Sequence, residues 1–512
     1  MSHDAQVADV CLVVEGTYPF VRGGVSSWVH NLISGMPELT FSILLISAER
    51  TEQAPKYTLP ENVLSLCEVF VHEAVLPGAS KVRRWGRGRQ RRAFWSSIEQ
   101  MHRCPVSDPA YFKHFGAVLE GILSQQVIST SDALFSRETW QTVCKRYEAL
   151  CPEDSFIDFF WTWRAVHAPI LQLLHAEIPP ARCYHLVSTG YAGLLGVLAK
   201  MHTGRPVLLT EHGIYVRERA IDIAQADWIY EEPVPLKAVS RSPGALKDLW
   251  TRFFVRLGEM TYAAADEVFT LFEGNAQLQR ELGCPESKLS VVPNGVRVDV
   301  FDAVRHQPRP NDGILRVGFV GRVVPIKDVK TFVRACAVVA RTLPEAEFYV
   351  CGPLDEDPVY AAECEALSES LGLRGRLKFT GNVDVREWFP CMDVFVLTSI
   401  SEGQPLTVLE AACAGVPTVA SDVGACRELI EGRTPEDRAL GHSGIVTGVG
   451  DPEGTARAIV EILTDEGRRQ AMIEAGVNRV RRYYRQSGVI DTYRRIYGQW
   501  CHVATLEPAK AG

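Results

Sequence analysis

The feature of this sequence that most constrains its fold is an alternation of short apolar runs with helical segments, which occurs twice along the chain. Alternation of this kind predicts a parallel sheet with helices on both faces. The runs typical of buried strands are 8–14, 41–47, 63–71, 183–188, 206–210, 267–272 and 288–293 in the first half, and 314–321, 347–352, 376–381, 394–399 and 417–421 in the second. Helices are predicted at about 25–35, 191–202, 245–264, 274–282, 328–342, 358–371, 385–391, 405–414, 453–464 and 486–500.

Two interruptions divide the alternation into domains. The stretch at about 73–180 is rich in aromatic residues and has helical spacing, which predicts a helical insertion. Residues 302–313 are polar and contain Pro and Gly, which is typical of a linker. We therefore predict an α/β protein with an N-terminal Rossmann-like domain over 1–300 and a C-terminal one over 301–485. The last segment, 486–512, is predicted to be a helix that packs back on the first domain.

Composition excludes several classes of protein. Hydrophobic residues make up 46% of the 512 residues and charged residues 23%, which is ordinary globular usage. The 54 Lys and Arg against 62 Asp and Glu give a net charge of −8, which argues against a nucleic-acid partner. The 14 Cys form no C-x-x-C pair, and no apolar run is long enough to span a bilayer. The start, MSHDAQVADV, lacks the regions of a signal peptide, so a cytoplasmic location is expected.

Familiar nucleotide and metal motifs are missing from the sequence. The first apolar run is followed by Glu15-Gly16-Thr17 and not by G-x-G-x-x-G, and no Walker A pattern occurs. H-E-x-x-H and clustered Cys and His are also absent, so no metal site is predicted. One alternative is Asp355-Glu356-Asp357, which could hold a divalent ion with a diphosphate. The competing interpretation is an acidic turn before the helix at 358–371, whose N-terminus favours negative charge.

The block most indicative of chemistry is S-I-S-E-G-Q-P-L-T-V-L-E-A-A-C-A-G at 399–415. It places a Gly-containing loop between a strand and a helix, and Pro405 stands where the helix would start. Free backbone amides near Leu406 and Thr407 would then form an anion site at the positive helix end. Glu402 in the loop and Glu410 in the helix cannot themselves bind a phosphate. Their carboxylates suit neutral hydroxyls such as those of sugars.

Positive charge for such an anion follows the first strand of the second domain. Arg322 stands just past the strand end, where its planar guanidinium can bind phosphate oxygens. Lys327 adds a mobile charge before the next helix. In the first domain, Gly23-Gly24 would let the backbone approach an anion closely, or would form a tight turn.

These motifs together resemble the retaining glycosyltransferases of family 4, which have the GT-B fold. The E-x7-E motif of that family matches Glu402 and Glu410, and its G-R-x4-K matches Arg322 and Lys327. Its N-terminal glycine pair matches Gly23-Gly24, and its P-N-G-V matches 293–296. E-G-T-Y-P-F-V-R-G-G-V-S-S-W-V-H at 15–30 and T-E-H-G-I-Y-V-R-E-R at 210–219 look like the PelF branch, the cytosolic glycosyltransferase of Pel-type exopolysaccharide assembly in bacteria.

The resemblance implies a role for each matched residue. Glu410 would hold the ribose hydroxyls of the donor, and Glu402 would contact the donor sugar. Arg322 and Lys327 would neutralise the leaving diphosphate, and His212 would reach the sugar near the reacting bond. The residues implied in catalysis are His212, Glu402, Arg322 and Lys327. Those implied in donor binding are Gly23, Gly24, Arg322, Lys327, Asn382, Val383, Glu402, Gly403, Gln404, Leu406, Thr407 and Glu410. The family commonly has an aromatic residue where this chain has Gln404.

The resemblance also implies a GT-B architecture of two Rossmann-like domains facing a cleft, and a reaction. A hexose would pass with retention from UDP-glucose or a UDP-N-acetylhexosamine to a growing polysaccharide or related acceptor. Neither a metal nor another cofactor would be needed, because Arg322 and Lys327 supply the positive charge. Two other functions stay open on the sequence: a GT-B-type nucleotide-sugar epimerase, and a non-catalytic assembly subunit that binds a nucleotide sugar.

A basic run lies near the start of the predicted insertion. It could dock on an anionic membrane surface or on a membrane partner, or it could be a solvated loop or helix face. The Pel-type resemblance implies that proteins of an inner-membrane Pel synthase complex are partners, and that the protein is peripheral to that membrane. The run consists of Lys81, Arg83, Arg84, Arg87, Arg89, Arg91 and Arg92.

Overall fold

The computed structural model describes residues 6–50, 54–72, 88–124, 128–226, 244–307 and 312–503. The chain divides into two compact units. The first comprises Met1–Thr270, Ala276–Ser290 and Arg494–Gly512, and the second comprises Leu271–Asn275 and Val291–Tyr493. The predicted boundary at residue 300 therefore lies after the observed one at Ser290, and the first unit also takes in the chain from Arg494 onward.

The first unit is built on a parallel sheet of seven strands in the order β3-β2-β1-β4-β5-β6-β7. β1 is an interior strand between β2 and β4, where Leu12 is opposite Ile43 of β2 and His185 of β4. Its apolar run is buried on both faces, as expected for a central strand in a parallel sheet. The strands are β1 (Ala8–Glu15), β2 (Phe41–Ser47), β3 (Val63–Phe70), β4 (Ala181–Leu186), β5 (Val207–Glu211), β6 (Glu267–Thr270) and β7 (Leu289–Val291).

The helices of the first unit include five consecutive ones between β3 and β4, within the predicted insertion. Residues 73–87 and 125–127 of that insertion lie outside the described residues. α8 was not predicted. The helices are α1 (Gly24–Ser34), α2 (Gly88–Arg103), α3 (Pro109–Leu123), α4 (Thr130–Phe135), α5 (Arg137–Leu150), α6 (Phe156–Leu173), α7 (Tyr191–Thr203), α8 (Tyr215–Gln225), α9 (Ala245–Ala264) and α10 (Glu273–Glu281), and a 3-10 turn covers Glu286–Lys288.

The second unit has a parallel sheet of six strands in the order β10-β9-β8-β11-β12-β13. β8 and β11 are neighbours at its centre, where Gly318 is opposite Phe395. β13 was not predicted, because its four residues G-I-V-T are too short to give an apolar run. The strands are β8 (Leu315–Val320), β9 (Ala346–Cys351), β10 (Leu377–Gly381), β11 (Val394–Leu397), β12 (Thr418–Ser421) and β13 (Gly444–Thr447).

The helices that follow include several that differ from prediction. α11 occupies the start of the predicted linker 302–313, of which 308–311 lie outside the described residues. The predicted helix 385–391 is one short helix followed by a 3-10 turn at Phe389–Cys391, because Pro390 supplies no N–H for a longer helix. The helices are α11 (Val298–Arg305), α12 (Val329–Thr342), α13 (Pro358–Ser370), α14 (Val385–Trp388), α15 (Leu406–Cys413), α16 (Cys426–Glu431), α17 (Pro435–Arg438), α18 (Pro452–Thr464), α19 (Glu466–Tyr483) and α20 (Gln486–Val503), with a further 3-10 turn at Pro325–Lys327.

A buried ion pair ties α19 into the second unit, although the sequence predicted no helix there. Arg479 is 1% exposed, and its Nε lies 2.7 Å from Oδ1 of Asp437. The remaining guanidinium N–H groups donate to the carbonyl oxygens of Ile430, Asp437 and Gly441. Because these donors are satisfied, the pair offsets the cost of burying its charges, and removing either partner alone would be strongly destabilising.

No helix within the described parts of the chain is both long enough and apolar enough to cross a membrane.

Candidate functional site

The sequence motifs of the second unit that contain Arg322 and Glu402 lie at the carboxyl ends of two neighbouring strands. β8 ends at Val320 and leads into Arg322, and β11 ends at Leu397 and leads into the 399–405 loop. Because β8 and β11 are paired, the loops that follow them are neighbours as well. Loops at this edge of a doubly wound sheet are where such folds bind ligands.

Lys327 and Glu402 form the central contact of this edge. Nζ of Lys327 lies 2.5 Å from Oε1 of Glu402, and the same oxygen accepts a hydrogen bond from the Ser399 hydroxyl at 2.6 Å. The side chains are only 18% and 10% exposed, so the pair is partly shielded from water. The structure thus brings together a cation and a carboxylate that the sequence placed in separate motifs.

Hydrogen bonds to backbone carbonyls connect the two loops. The N–H of Ile400 donates to the carbonyl of Ile326 at 2.9 Å, and the Thr398 hydroxyl donates to the carbonyl of Asp328, also at 2.9 Å. Asp328 adopts a left-handed conformation at φ 44°, and its side chain accepts from the N–H of Thr331 to cap α12. Lys327 therefore projects from a turn whose backbone is fixed on both sides.

Arg322 is more accessible than Lys327. Its Nη1 lies 2.8 Å from Oε2 of Glu356, and the side chain is 55% exposed. An exposed pair of this kind contributes little to stability. The guanidinium is consequently available to exchange this carboxylate for another anion.

The acidic turn 355–357 caps a helix. Oδ1 of Asp357 accepts a hydrogen bond from the N–H of Tyr360 at 3.0 Å, at the start of α13. Glu356 pairs with Arg322. Across the described residues, no three His, Cys, Asp or Glu side chains are grouped so that they could hold a metal ion. The contacts made by this turn therefore correspond to the interpretation as an acidic helix cap.

The loop at Glu402 and Gly403 packs closely against Gly424, which was not among the predicted site residues. A Cβ at Gly424 would lie 2.2 Å from the carbonyl oxygen of Gly403 and 2.3 Å from that of Glu402. The N–H of Ala425 donates to the carbonyl of Gly403 at 2.8 Å. Gly424 also has a φ of 54°, so glycine is required there for both reasons. Nothing in the local sequence V-G-A links this residue to Glu402.

The side chain of Gln404 is hydrogen-bonded to another residue of the protein. Its Oε1 accepts a hydrogen bond from the N–H of Asn294 at 2.6 Å, and the residue is 8% exposed. Asn294 belongs to the P-N-G-V segment at 293–296, so the two motifs are joined within the second unit. One lone pair of the Gln404 amide oxygen is therefore already used, and the second lone pair and the NH₂ group can still serve a ligand.

α15 begins at Leu406 rather than at Pro405. Pro405 has extended backbone angles and makes no side-chain cap. The first amides of the helix, including those of Leu406 and Thr407, are thus left without a side-chain cap at the positive end of the helix dipole. This is the arrangement that favours an anion. Gly403 stands just before it, with its own carbonyl taken by Ala425.

Glu410 lies in the second turn of α15 and is half-buried. Burial raises the pKa of its carboxyl to about 7, and the charge of Arg297 partly opposes this rise. Arg297 directly follows P-N-G-V, and sequence reasoning missed it because no spacing rule connects it to Glu410. Among the described residues no hydrogen bond or ion pair is recorded between Glu410 and Arg322, Lys327 or Glu402.

Asn382 and Val383 follow β10 at the same edge of the sheet. Gly381 turns the chain there with a φ of 70°, and Asp384 caps α14 by accepting from the N–H of Arg386. Asn382 is exposed and Val383 half-buried. Nearby, a Cβ at Gly352 would lie 1.9 Å from the carbonyl oxygen of Gly321, so the turns after β8 and β9 pack backbone to backbone.

In the first unit, His212 follows β5 and packs edge-on against Trp28 of α1, with ring centroids 4.7 Å apart. Burial lowers the pKa of His212 to about 4, so the imidazole is neutral near pH 7. Its Nε2 is buried without a hydrogen-bond partner within the described part of the chain. A neutral imidazole with an unused nitrogen is suited to hydrogen bonding with a ligand, and its predicted contact with the donor sugar stays a prediction.

The preceding residue, Glu211, anchors this loop. Its Oε1 accepts from the Thr189 hydroxyl and the Tyr215 N–H, each at 3.1 Å. Its Oε2 accepts from Tyr262 and Gln279, each at 2.7 Å. Burial raises the pKa of Glu211, and these four donors oppose the rise. The E-H-G sequence thus combines a fixed carboxyl with a histidine whose Nε2 is unused.

Gly23 and Gly24 stand at the start of α1. A Cβ on either would meet nothing within 4 Å, and the φ of Gly23, 176°, is extended backbone that any residue adopts. The tight-turn interpretation therefore has no support in the backbone. The helix start has no side-chain cap, so its first amides are open. Their predicted approach to a ligand phosphate is untested.

Glu15 accepts a hydrogen bond from the Tyr215 hydroxyl at 2.6 Å, and its second carboxylate oxygen is buried. Burial raises the pKa of this carboxyl, and the Tyr215 hydrogen bond opposes the rise. Glu15 is thus tied to the loop that carries His212.

Two family models match the chain. The first, described as "Domain of unknown function (DUF3492)", covers residues 8–287, and the second, "Glycosyl transferases group 1", covers residues 315–465. The first match alone takes in more than half of the chain. The second contains each predicted site residue of the second unit.

Curated proteins and solved structures show the same relationship. The chain is 26% identical over 343 residues to a D-inositol 3-phosphate glycosyltransferase of Thermomonospora curvata, covering 61% of this chain and 71% of that protein. A sucrose-phosphate synthase from Thermosynechococcus elongatus has a TM-score of 0.57 at 16% identity, covering 96% of this chain and 99% of that one. Anabaena Alr3699/HepE in complex with UDP and glucose gives 0.55 at 13% identity, covering 96% and 99%. The chain belongs to the DUF3492 family, and it is a group 1 glycosyltransferase with two Rossmann-like α/β domains of the GT-B type.

Proposed function

We propose that the protein transfers a hexose from a UDP-sugar, with retention of configuration at the anomeric carbon, to a growing polysaccharide or related carbohydrate acceptor. The pathway we propose is the synthesis of a Pel-type bacterial exopolysaccharide. The observation that carries the transferase chemistry is the Lys327–Glu402 pair, which lies at the carboxyl edge of the second sheet beside the uncapped start of α15.

The charges at this edge suit a diphosphate leaving group. Lys327 has three N–H donors, so its ammonium can keep Glu402 and still donate to a phosphate oxygen. Arg322 can exchange its exposed partner Glu356 for a second phosphate oxygen. The amides at the start of α15 add donors that need no reorganisation as charge develops.

The proposed reaction proceeds on one face of the sugar. The bond between the anomeric carbon and the β-phosphate oxygen breaks, and the acceptor hydroxyl oxygen forms its bond to the same carbon from the same side. The acceptor proton passes to the departing phosphate oxygen. Lys327 and Arg322 stabilise the charge on that phosphate, so we propose that the reaction needs no metal ion.

The donor is proposed to be UDP-glucose or a UDP-N-acetylhexosamine. The Anabaena neighbour binds UDP and glucose, which supports a uridine diphosphate donor. We propose that Glu410 of α15 accepts hydrogen bonds from the ribose hydroxyls, and that Asn382 and Val383 border the base. We propose that Gln404, whose amide oxygen accepts one hydrogen bond from Asn294, donates from its NH₂ group to the donor sugar.

We further propose that the protein works in the cytoplasm, at the surface of the inner membrane, with proteins of the Pel synthase complex. The similarity to PelF at 15–30 and 210–219 supports this placement. Co-expression with that complex should move the protein from the soluble to the membrane fraction, and an unchanged distribution would count against it.

A panel of nucleotide sugars tests the proposed reaction. The purified chain is incubated with each donor, release of free UDP is measured, and the anomeric configuration of the product is read by NMR. We expect transfer or slow hydrolysis of a UDP-hexose, equal activity in excess EDTA, and loss of activity in Lys327→Ala. Formation of an epimer of the donor would identify an epimerase, and binding without turnover would identify a non-catalytic subunit.

A further inference from the structure

The helical insertion contains a groove that the proposed transfer reaction does not use. The groove runs between α2 and α5 and has a volume of about 820 Å³. Each of its lining residues belongs to one of these two helices. A cavity of this size is in the range of sites for small molecules.

The charge of the groove is opposite to that of the whole protein. The chain carries a net charge of −8, yet the groove is lined by five Lys and Arg side chains against two carboxylates. A concave surface lined by one sign of charge concentrates the field and attracts counter-ions. The cations are Arg91, Arg92, Arg103, Lys145 and Arg146, and the carboxylates are Glu99 and Glu138.

Both carboxylates are already neutralised. Nη2 of Arg91, which is 9% exposed, lies 3.0 Å from Oε1 of Glu138 and joins α2 to α5. Nη2 of Arg103 lies 2.8 Å from Oε1 of Glu99 in the same helix. Arg91, which belongs to the basic run predicted to be either a solvated face or a membrane-docking segment, is therefore a buried residue paired within the protein.

Three cations remain available in the groove. Within the described residues, Arg92, Lys145 and Arg146 form no ion pair with a carboxylate. Arg92 and Lys145 are exposed and Arg146 is half-buried. They belong to two different helices, so together they can surround one ligand.

One further side chain of the groove has an unused hydrogen-bond donor. Trp95 lines the groove, and its indole N–H is buried without a hydrogen-bond partner among the described residues. The site thus combines an excess of positive charge with an unused donor.

We propose that the groove between α2 and α5 binds a ligand carrying phosphate groups, held by Arg92, Lys145 and Arg146 and by the indole N–H of Trp95. Phosphate fits because it offers several strong acceptor oxygens to cations spread over two helices. The ligand is either a soluble phosphorylated compound or the phosphate headgroup of a lipid. The site is separate from the donor-binding residues, all of which lie outside α2 and α5.

The test uses the full chain in the Arg322→Ala/Lys327→Ala background, so that the predicted diphosphate-binding residues do not contribute. Binding of tripolyphosphate is measured by calorimetry, and binding to vesicles with or without phosphatidylglycerol is measured by flotation. The groove variant is Lys145→Ala/Arg146→Ala. The matched control is Lys113→Ala/Arg137→Ala, which removes one Lys and one Arg from the same insertion outside the groove.

We expect the groove variant to weaken binding by at least about tenfold and the control to leave it unchanged. Loss of tripolyphosphate binding would assign a soluble ligand, whereas loss of vesicle binding alone would assign a lipid headgroup. Trp95→Phe should weaken the same binding by a few-fold, because it keeps the ring and removes the donor. Thermal unfolding checks that each variant is folded. If Lys145→Ala/Arg146→Ala does not fold, Lys145→Gln/Arg146→Gln replaces it.

Equal binding of both probes by the groove variant and the control would overturn the proposal. The proposal would also be overturned if the Arg322→Ala/Lys327→Ala protein, with the groove intact, bound neither tripolyphosphate nor vesicles. In the chain with Arg322 and Lys327 restored, the groove variant should keep its donor-hydrolysis rate, so failure of the groove proposal and failure of the transferase proposal give different results.

Discussion

The ammonium of Lys327 contacts the carboxylate of Glu402 at 2.5 Å, although the two residues are 75 positions apart in the chain. The contact forms because β8 and β11 are adjacent strands whose following loops are hydrogen-bonded to each other. It places a cation and a carboxylate side by side at one edge of the second sheet.

Replacement of Lys327 by alanine should lower kcat/KM by about 100-fold or more, because a preorganised cation at a leaving phosphate is worth several kcal/mol. Steady-state rates of UDP release measure this. The control is Lys330→Ala, which removes a nearby lysine paired with Glu363 and should leave the rate unchanged. Near wild-type activity in Lys327→Ala would refute its role at the phosphate.

Arg322→Ala should separate activity from stability. We expect a loss in kcat/KM of about 100-fold with a change in unfolding free energy of at most about 1 kcal/mol, since the Arg322–Glu356 pair is exposed. Glu356→Gln is the matched control, because it removes the same ion pair and leaves the guanidinium in place. If both variants lose activity equally, the ion pair itself and not the free guanidinium is what matters.

Donor binding should depend on pH through Glu410. Burial raises the pKa of this carboxyl to about 7, so it is mostly protonated at pH 6 and mostly ionised at pH 8. The ionised form is the stronger acceptor for ribose hydroxyls, so KM for the donor should fall as pH rises through 7. Glu410→Gln should have a KM that is higher at pH 8 and nearly constant over this range. A wild-type KM that does not change with pH would contradict the prediction.

His212 should act as a neutral residue. Because burial lowers its pKa to about 4, it does not titrate between pH 6 and 8. The loss of kcat/KM in His212→Ala should therefore be the same at pH 6 and pH 8. A loss confined to one end of this range would mean that the imidazole titrates between pH 6 and pH 8, and would contradict the prediction.

Two glycine substitutions should have opposite consequences. In Gly24→Ala the new Cβ meets nothing within 4 Å, so stability should hold while activity falls if the backbone approaches a phosphate. In Gly352→Ala the Cβ would lie 1.9 Å from the carbonyl oxygen of Gly321, so the protein should be destabilised. Thermal unfolding and UDP release on the same preparations distinguish the two. Full activity of Gly24→Ala would leave this glycine without a binding role.

The long apolar strands and amphipathic helices could be predicted from sequence because their periodicity is local. β2 was predicted with its observed bounds, and so was α9. α19 was missed because its buried face is held by the long-range contact of Arg479 with Asp437, which no local pattern reports. The four residues of β13 gain their strand conformation only by pairing with β12.

The site was predictable to the extent that its residues lie in linear motifs. Lys327 and Glu402 could be selected by spacing, but their contact depends on which strands are neighbours. Gly424 and Arg297 belong to no motif, because their roles are steric and electrostatic effects of chain segments distant in sequence. The use of Gln404 by the Asn294 amide was likewise not visible in the sequence.

Side chains of α20 form part of the interior of the first unit. Tyr497 is fully buried, and its hydroxyl lies 2.6 Å from Nδ1 of His185 in β4, while Cys501 is buried against the carbonyl of Asp9 in β1. A gene fragment that stops at residue 290 therefore encodes an incomplete module, in which His185 has lost its phenol partner. Dissecting this enzyme into separately expressed halves requires a circularly permuted or two-piece design that returns α20 to the N-terminal half.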